Sequence, residues 1–267
     1  MNLSKTKINA LLALALFTFA FLAAEFRFDI NIGLLAGAER VVLAQGFILG
    51  ASVLGFIGYA PLLGLAQRKG HSLAAVNAAA PIVIPGLAQI QFPTGPLTLE
   101  ILGRIAFFGL GLLGAATHHA FSLAFQDGPK LATGAGAAYA AGIVFDLAER
   151  RYMGLVMLGI AVLSTISILA VEAGADPNLG LVVFYLSSGF FVTFFTTTFT
   201  QLAPRMHTPA LWAGMGRAAN NVCAFTTSGI SLALVTSGNV ALIMIGALVL
   251  LVAACAAFVA AGLFRLP

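Results

Sequence analysis

Nine apolar runs, each close to the roughly 20 residues a helix needs to cross a hydrocarbon core, follow one another along this chain with only short polar breaks. Their limits are 8–24, 41–66, 72–90, 99–125, 130–147, 153–172, 178–202, 208–236 and 240–264. In lipid every backbone N–H and C=O must be paired inside the structure, which leaves helices or a closed barrel. The runs lack the strict alternation of barrel strands, so the chain reads as all-α, a polytopic transmembrane bundle of about eight to ten spans. Composition agrees: 60% of the residues are hydrophobic and 8% are charged, against about 25% charged in a soluble domain. Lipid is the expected solvent.

The breaks are too short for a soluble domain, so residues 1–267 read as one membrane domain, with repeats expected over 1–97 and 98–267. The pointer to a repeat is Leu65-Ala66-Gln67-Arg68-Lys69, answered 82 residues later by Leu147-Ala148-Glu149-Arg150-Arg151. The 29 glycines, including Gly50, Gly55, Gly58 and Gly64, favour close helix approach.

The 13 Lys and Arg residues stand at the ends of apolar runs instead of forming one stripe, which marks them as topology determinants and excludes nucleic acid as a partner. Lys5 and Lys7 before the first run place the N-terminus in the cytoplasm, and a bacterial inner membrane is the expected home. That run reads as a first span and not a cleaved signal, since no convincing small-x-small site follows it. Glu25 to Arg40 reads as the first loop. The charge rule wants Lys69 and Arg150 on one side, yet three runs separate them. The suspect is 72–90, where Pro81 and Pro85 predict a broken or re-entrant segment.

Ionisable groups within spans are costly, about 2.5 to 3.5 kcal/mol at the helix centre on insertion scales, so each asks for a partner or a role. Glu100 and Arg104, four apart, are placed to pair, and Gly111 and His118 continue that face. A cavity-facing His118 could carry a proton; the plainer reading has the charges at the membrane surface and the histidines hydrogen-bonded and inert. His118 and His119 point about 100° apart on a regular helix, so they do not form one metal site, and no metal or other cofactor is expected. Arg217, Asn221 and Ser228 share a face that could hold an anionic or hydrogen-bonding solute, or Arg217 could pair structurally with an acid elsewhere. Gln45 shares a side with Ser52 and Tyr59 at intervals of seven. Thr193, Thr197 and Thr200 add a stripe that can equally bond its own helix.

The segment Gly64-Leu65-Ala66-Gln67-Arg68-Lys69-Gly70-His71 resembles the inter-helix loop of the major facilitator superfamily, Gly-x-x-x-Asp-Arg-x-Gly-Arg, with Arg68 and Gly70 matching. Gln67 and His71 depart from it, the leading Gly is one place late, and the second copy keeps Glu149 and Arg150 but has Tyr152 for Gly. Gly214-Met215-Gly216-Arg217 with Asn220, and Arg104 with Gly109, Gly111 and Gly114, are similar to other helices of that family. The resemblance implies a shortened or divergent secondary transporter of a small organic solute, with protons as coupling ion and alternating access as mechanism. In it Arg104, His118, Arg217, Asn221 and Gln45 would serve solute or coupling, and Gly64, Arg68, Gly70, Asp146, Glu149 and Arg150 would form gating loops. The alternative is a non-transporting subunit or assembly factor bound to a membrane-protein partner. A membrane enzyme is not expected, for no paired carboxylates, nucleophile with base or ligand set stands within the runs, and no P-loop is present.

Overall fold

The computed structural model describes residues 4–71, 74–126 and 153–261, and among these the chain forms helices and no strand. Among the described residues six helices are long and apolar enough to cross a bilayer: Lys5–Ala36, Ala38–Arg68, Pro96–Ala124, Gly154–Glu172, Pro177–Arg205 and Val240–Ala257. The chain is a multi-pass helical membrane protein. Against the eight to ten expected spans, Ala74–Gln91 and Met215–Thr236 are helices outside that six, and 130–147 lies outside the described residues.

Helix α1 (Lys5–Ala36) begins at Ser4, whose hydroxyl accepts from the Lys7 amide at 3.4 Å. It stops at Gly37, whose φ of 89° lies in a region open to glycine, and α2 (Ala38–Arg68) starts at once. The loop expected over Glu25 to Arg40 is therefore helical almost throughout. No proline stands between Ala24 and Ala36, and Glu25 finds a partner inside the bundle at Gln45. At 1.5 Å per residue the 32 residues of α1 measure about 48 Å, longer than the hydrocarbon core of about 30 Å.

A turn closed by the Gly70 amide on the Gln67 carbonyl (3.1 Å) and the His71 amide on the Ala66 carbonyl (2.8 Å) ends α2, with Gly70 at φ 75°. Helix α3 (Ala74–Gln91) is continuous through Pro81 and Pro85, so the segment is not broken there. The two prolines, one turn apart, remove amides on one side only, and the ladder carries on around them. Helix α4 (Pro96–Ala124) starts on Gly95 with proline in the first turn, where the missing amide is no loss. Further along lie α5 (Met153–Glu172), α6 (Pro177–Leu202), a 3-10 turn at Ala203–Arg205, short α7 (Pro209–Trp212), α8 (Met215–Thr236) and α9 (Val240–Ala260).

The chain divides into two compact units. One comprises Met1–Lys130 with Phe195–Leu232, the other Leu131–Phe194 with Ala233–Pro267. In the first, α4 packs against α1, α2 and α3 together. The closest approach is α2 on α4, where a Cβ on Gly55 would collide with the Phe108 carbonyl and one on Gly111 with the Ser52 carbonyl. The rings of Phe21 and Phe28 pack on Phe107, with centroids 5.1 and 6.4 Å away, and all three side chains are buried. Leu16, Phe19 and Leu34 face outward, as a lipid-solvated surface requires. In the second unit α5 turns into α6 through Gly174 at φ 99°, and α9 packs on α5.

Candidate functional site

Two polar groupings occupy the first unit, and they differ in whether their charges are paired. At the first, Glu100 in the opening turns of α4 is 5% exposed and takes both oxygens into ion pairs. Arg40, just inside α2, grips it twice, Nε to Oε1 at 2.6 Å and Nη2 to Oε2 at 2.8 Å. Arg104 adds Nη2 to Oε2 at 3.0 Å, the pairing its i,i+4 spacing predicts, and its guanidinium lies 4.6 Å over the Phe47 ring. This carboxylate thereby ties the start of α2 to the start of α4.

The second grouping joins α1, α2 and α8 in the interior. The Gln45 side-chain amide donates to Glu25 Oε1 at 3.0 Å. Two turns further along the same side of α2, Ser52 accepts from the Asn221 amide at 2.7 Å while its own hydroxyl donates to the Leu49 carbonyl at 2.7 Å. Asn221 and Ser52 are both fully buried. The helices lie close because Gly46 faces Ser228 and Gly50 faces the Phe225 ring. One turn from Asn221, Arg217 is 7% exposed and lays its guanidinium 4.8 Å over the Phe21 ring, a turn before Glu25 on α1. Its charge acts on Glu25 and on His118. No described residue accepts a hydrogen bond from it or forms an ion pair with it.

The paired histidines of α4 diverge, as their 100° separation demands. His118 is enclosed by the edges of Phe17 and Phe56, 5.9 and 6.0 Å away, and its Nδ1 donates to the Gly114 carbonyl at 2.6 Å. His119 instead meets the Tyr59 hydroxyl at 3.1 Å through Nδ1, on the wall of a cavity of about 450 Å³ also lined by Leu63, Gln67, Leu113 and Thr117. Replacing Tyr59 by phenylalanine leaves that imidazole nitrogen without its partner and is expected to cost about 1 kcal/mol, or about 2–4 °C in Tm, measured by thermal denaturation in detergent.

Of the residues singled out in the sequence, Gln45 bonds Glu25, Asn221 bonds Ser52, Arg217 stacks on Phe21, Arg104 belongs to the Glu100 clamp, and His118 is packed against Phe17 of α1 and Phe56 of α2. Arg68 ends α2 on the exposed surface, Gly70 shapes the turn, and a Cβ at Gly64 would meet open space. Asp146, Glu149 and Arg150 lie outside the described residues. Thr193 and Thr200 bond their own helix at the Gly189 and Thr196 carbonyls, the structural use of such a stripe. Among the described residues no three His, Cys, Asp or Glu side chains gather as a metal site would need. The residue that sequence reasoning missed is Glu25, hidden because three charges in five residues, Glu25, Arg27 and Asp29, read as a loop. The absence of any Gly or Pro between Ala24 and Ile32 was the available signal.

No family model, no curated protein and no solved structure matches this chain.

Proposed function

We propose that this chain is a secondary transporter of a small organic solute, coupled to protons and working by alternating access, as a shortened relative of the major facilitator superfamily. The observation that carries the reading is Arg217: a nine-tenths buried guanidinium with no hydrogen-bond or ion-pair partner among the described residues, beside Glu25 and Asn221. A bundle held together by packing alone gains nothing from a charge kept in that state, whereas a solute site uses it. The same reading puts the N-terminus and the Lys69 turn on the cytoplasmic face of a bacterial inner membrane.

A second reading, a transporter-derived subunit or assembly factor, draws on the exposed apolar surface of α9, where Val249, Leu250 and Val252 are all more than half exposed. Lipid covers such a surface equally well, so the first reading stands ahead. Proteoliposomes holding the purified chain, given an inward proton gradient and a mixture of carboxylates, amino acids and sugars, separate the two. Accumulation of at least one solute, reduced about tenfold or more in Arg217→Gln, is the expected result, since a charge-assisted contact contributes about 1.5–3 kcal/mol. No accumulation of any solute, together with co-purification of a stoichiometric membrane partner, would favour the subunit.

A further inference from the structure

We infer that Arg217 binds the carboxylate of a small organic monoanion and that Glu25 takes up the proton that enters with it. This inference deepens, and rests on, the transport reading above.

A guanidinium offers five N–H donors in a planar fork, and a carboxylate is the small group that takes two of them in parallel. Around Arg217 the neighbouring donors are already engaged: the Asn221 amide on Ser52 and the Gln45 amide on Glu25. The guanidinium itself lies over the Phe21 ring and has no hydrogen-bond or ion-pair partner among the described residues. An incoming carboxylate therefore meets free donors without displacing a protein hydrogen bond, above an aromatic floor suited to an apolar body.

Charge then fixes the class of anion. Arg217 lies over Phe21, one turn before Glu25 on α1, and its charge acts on Glu25; the two sum to zero when both are ionised. A monocarboxylate brings the group to a net negative charge inside the bundle, where charge is costly. Moving one proton onto the Glu25 carboxylate restores zero, and Gln45 still holds the acid in place. One proton and one monoanion then enter together with no net charge, while a dianion would leave an unbalanced charge and a cation would be repelled by Arg217. The other charged or titratable groups near this pair are Asp29, one turn further along α1, on which the charge of Glu25 acts, and His118 of α4, which lies in the field of Arg217 between two phenylalanines. From α2 the facing group is the uncharged Gln45. Asp29 stands beyond Glu25 from Arg217, so the nearer acid carries the proton.

The test uses the purified full chain in detergent, with acetate, lactate and benzoate as probes and benzylamine as the cationic control. Calorimetry reads affinity, and a pH dye in weak buffer reads protons taken up on binding. The expected result is that at least one carboxylate binds, that benzylamine does not, and that close to one proton is taken up per anion in the alkaline range. There the affinity falls about tenfold per pH unit. In Glu25→Gln, which keeps the Gln45 contact and the side-chain shape, binding persists without proton uptake or that pH slope. In Arg217→Gln affinity falls about tenfold or more, and Arg217→Lys recovers part of it. Failure of all three carboxylates to bind, proton uptake that survives in Glu25→Gln, or binding indifferent to Arg217→Gln in protein that elutes and melts as wild type would each overturn the inference. Carboxylate binding with proton uptake but no flux into vesicles would remove the transport reading and leave the site intact. Flux of another solute without carboxylate binding would do the reverse.

Discussion

Gly111→Leu is expected to leave little or no folded, monodisperse protein. The backbones of α2 and α4 touch at this point: a Cβ on Gly111 would collide with the Ser52 carbonyl, and one on Gly55, from the facing helix, with the Phe108 carbonyl. Overpacking a core commonly costs about 1–3 kcal/mol when side chains can shift. Here the obstacle is backbone on both sides, so relief requires the helices to separate along the seam that also carries Tyr59–His119. Within a bilayer no hydrophobic force compensates for lost contact between helices, because lipid tails are as apolar as the side chains. We therefore expect a loss above about 3 kcal/mol, read as collapsed yield on size exclusion and a Tm lowered by about 6 °C or more in any protein recovered. Gly64→Ala is the matched control. Its Cβ would meet open space on the same helix as Gly55, and it is expected to be neutral or to gain up to about 1 kcal/mol from helix propensity. A Gly111→Leu protein as stable as wild type would mean that α2 and α4 do not cross here.

That crossing shows which features a sequence can disclose. Frequent glycine in apolar runs indicates close packing, but only the fold says that Gly55 and Gly111 face one another while Gly64 faces nothing. The side shared by Gln45, Ser52 and Tyr59 is legible from intervals of seven, since a straight helix returns to nearly the same face. All three do make inward polar contacts. Their partners are not legible, because Glu25, Asn221 and His119 lie between 20 and 169 residues away in sequence and no local rule couples them. Glu100 with Arg104 was local and readable; Arg40 joining them, 60 residues off, was not. Charge density misled at α1, where Glu25, Arg27 and Asp29 resemble a solvated loop. The helix tolerates them because Glu25 turns inward to Gln45 while Arg27 stays exposed. Proline misled at α3 for a different reason: two prolines a turn apart weaken one side of a helix without severing it when a neighbour such as α4 supports the rest.

Glu100→Ala is expected to be the most damaging loss of a single charge outside the Arg217 group. Breaking a buried ion pair by removing one partner typically costs about 3–5 kcal/mol, because the remaining charge is left uncompensated. The two arginines are 43% and 39% exposed, so water relieves much of that penalty, and about 2 kcal/mol is the expected loss. That corresponds to a Tm lower by about 4–8 °C in detergent. The geometry also ranks the partners. Arg40 reaches Glu100 with two hydrogen bonds from across the bundle, whereas Arg104 adds one from a turn away on the same helix and keeps its stacking on Phe47 when the carboxylate is gone. In a double-mutant cycle the coupling of Glu100 to Arg40 should therefore exceed that to Arg104, with Glu100→Ala, Arg40→Met and Arg104→Met as the single variants. Equal couplings would show that Arg40 is not held in the bidentate grip. The clamp would then not be what fixes the α1–α2 turn, closed at Gly37, against the start of α4. The contrast with Arg217 is physical: a guanidinium already matched by a carboxylate has its donors engaged and serves stability, whereas one buried without a match retains donors for a ligand.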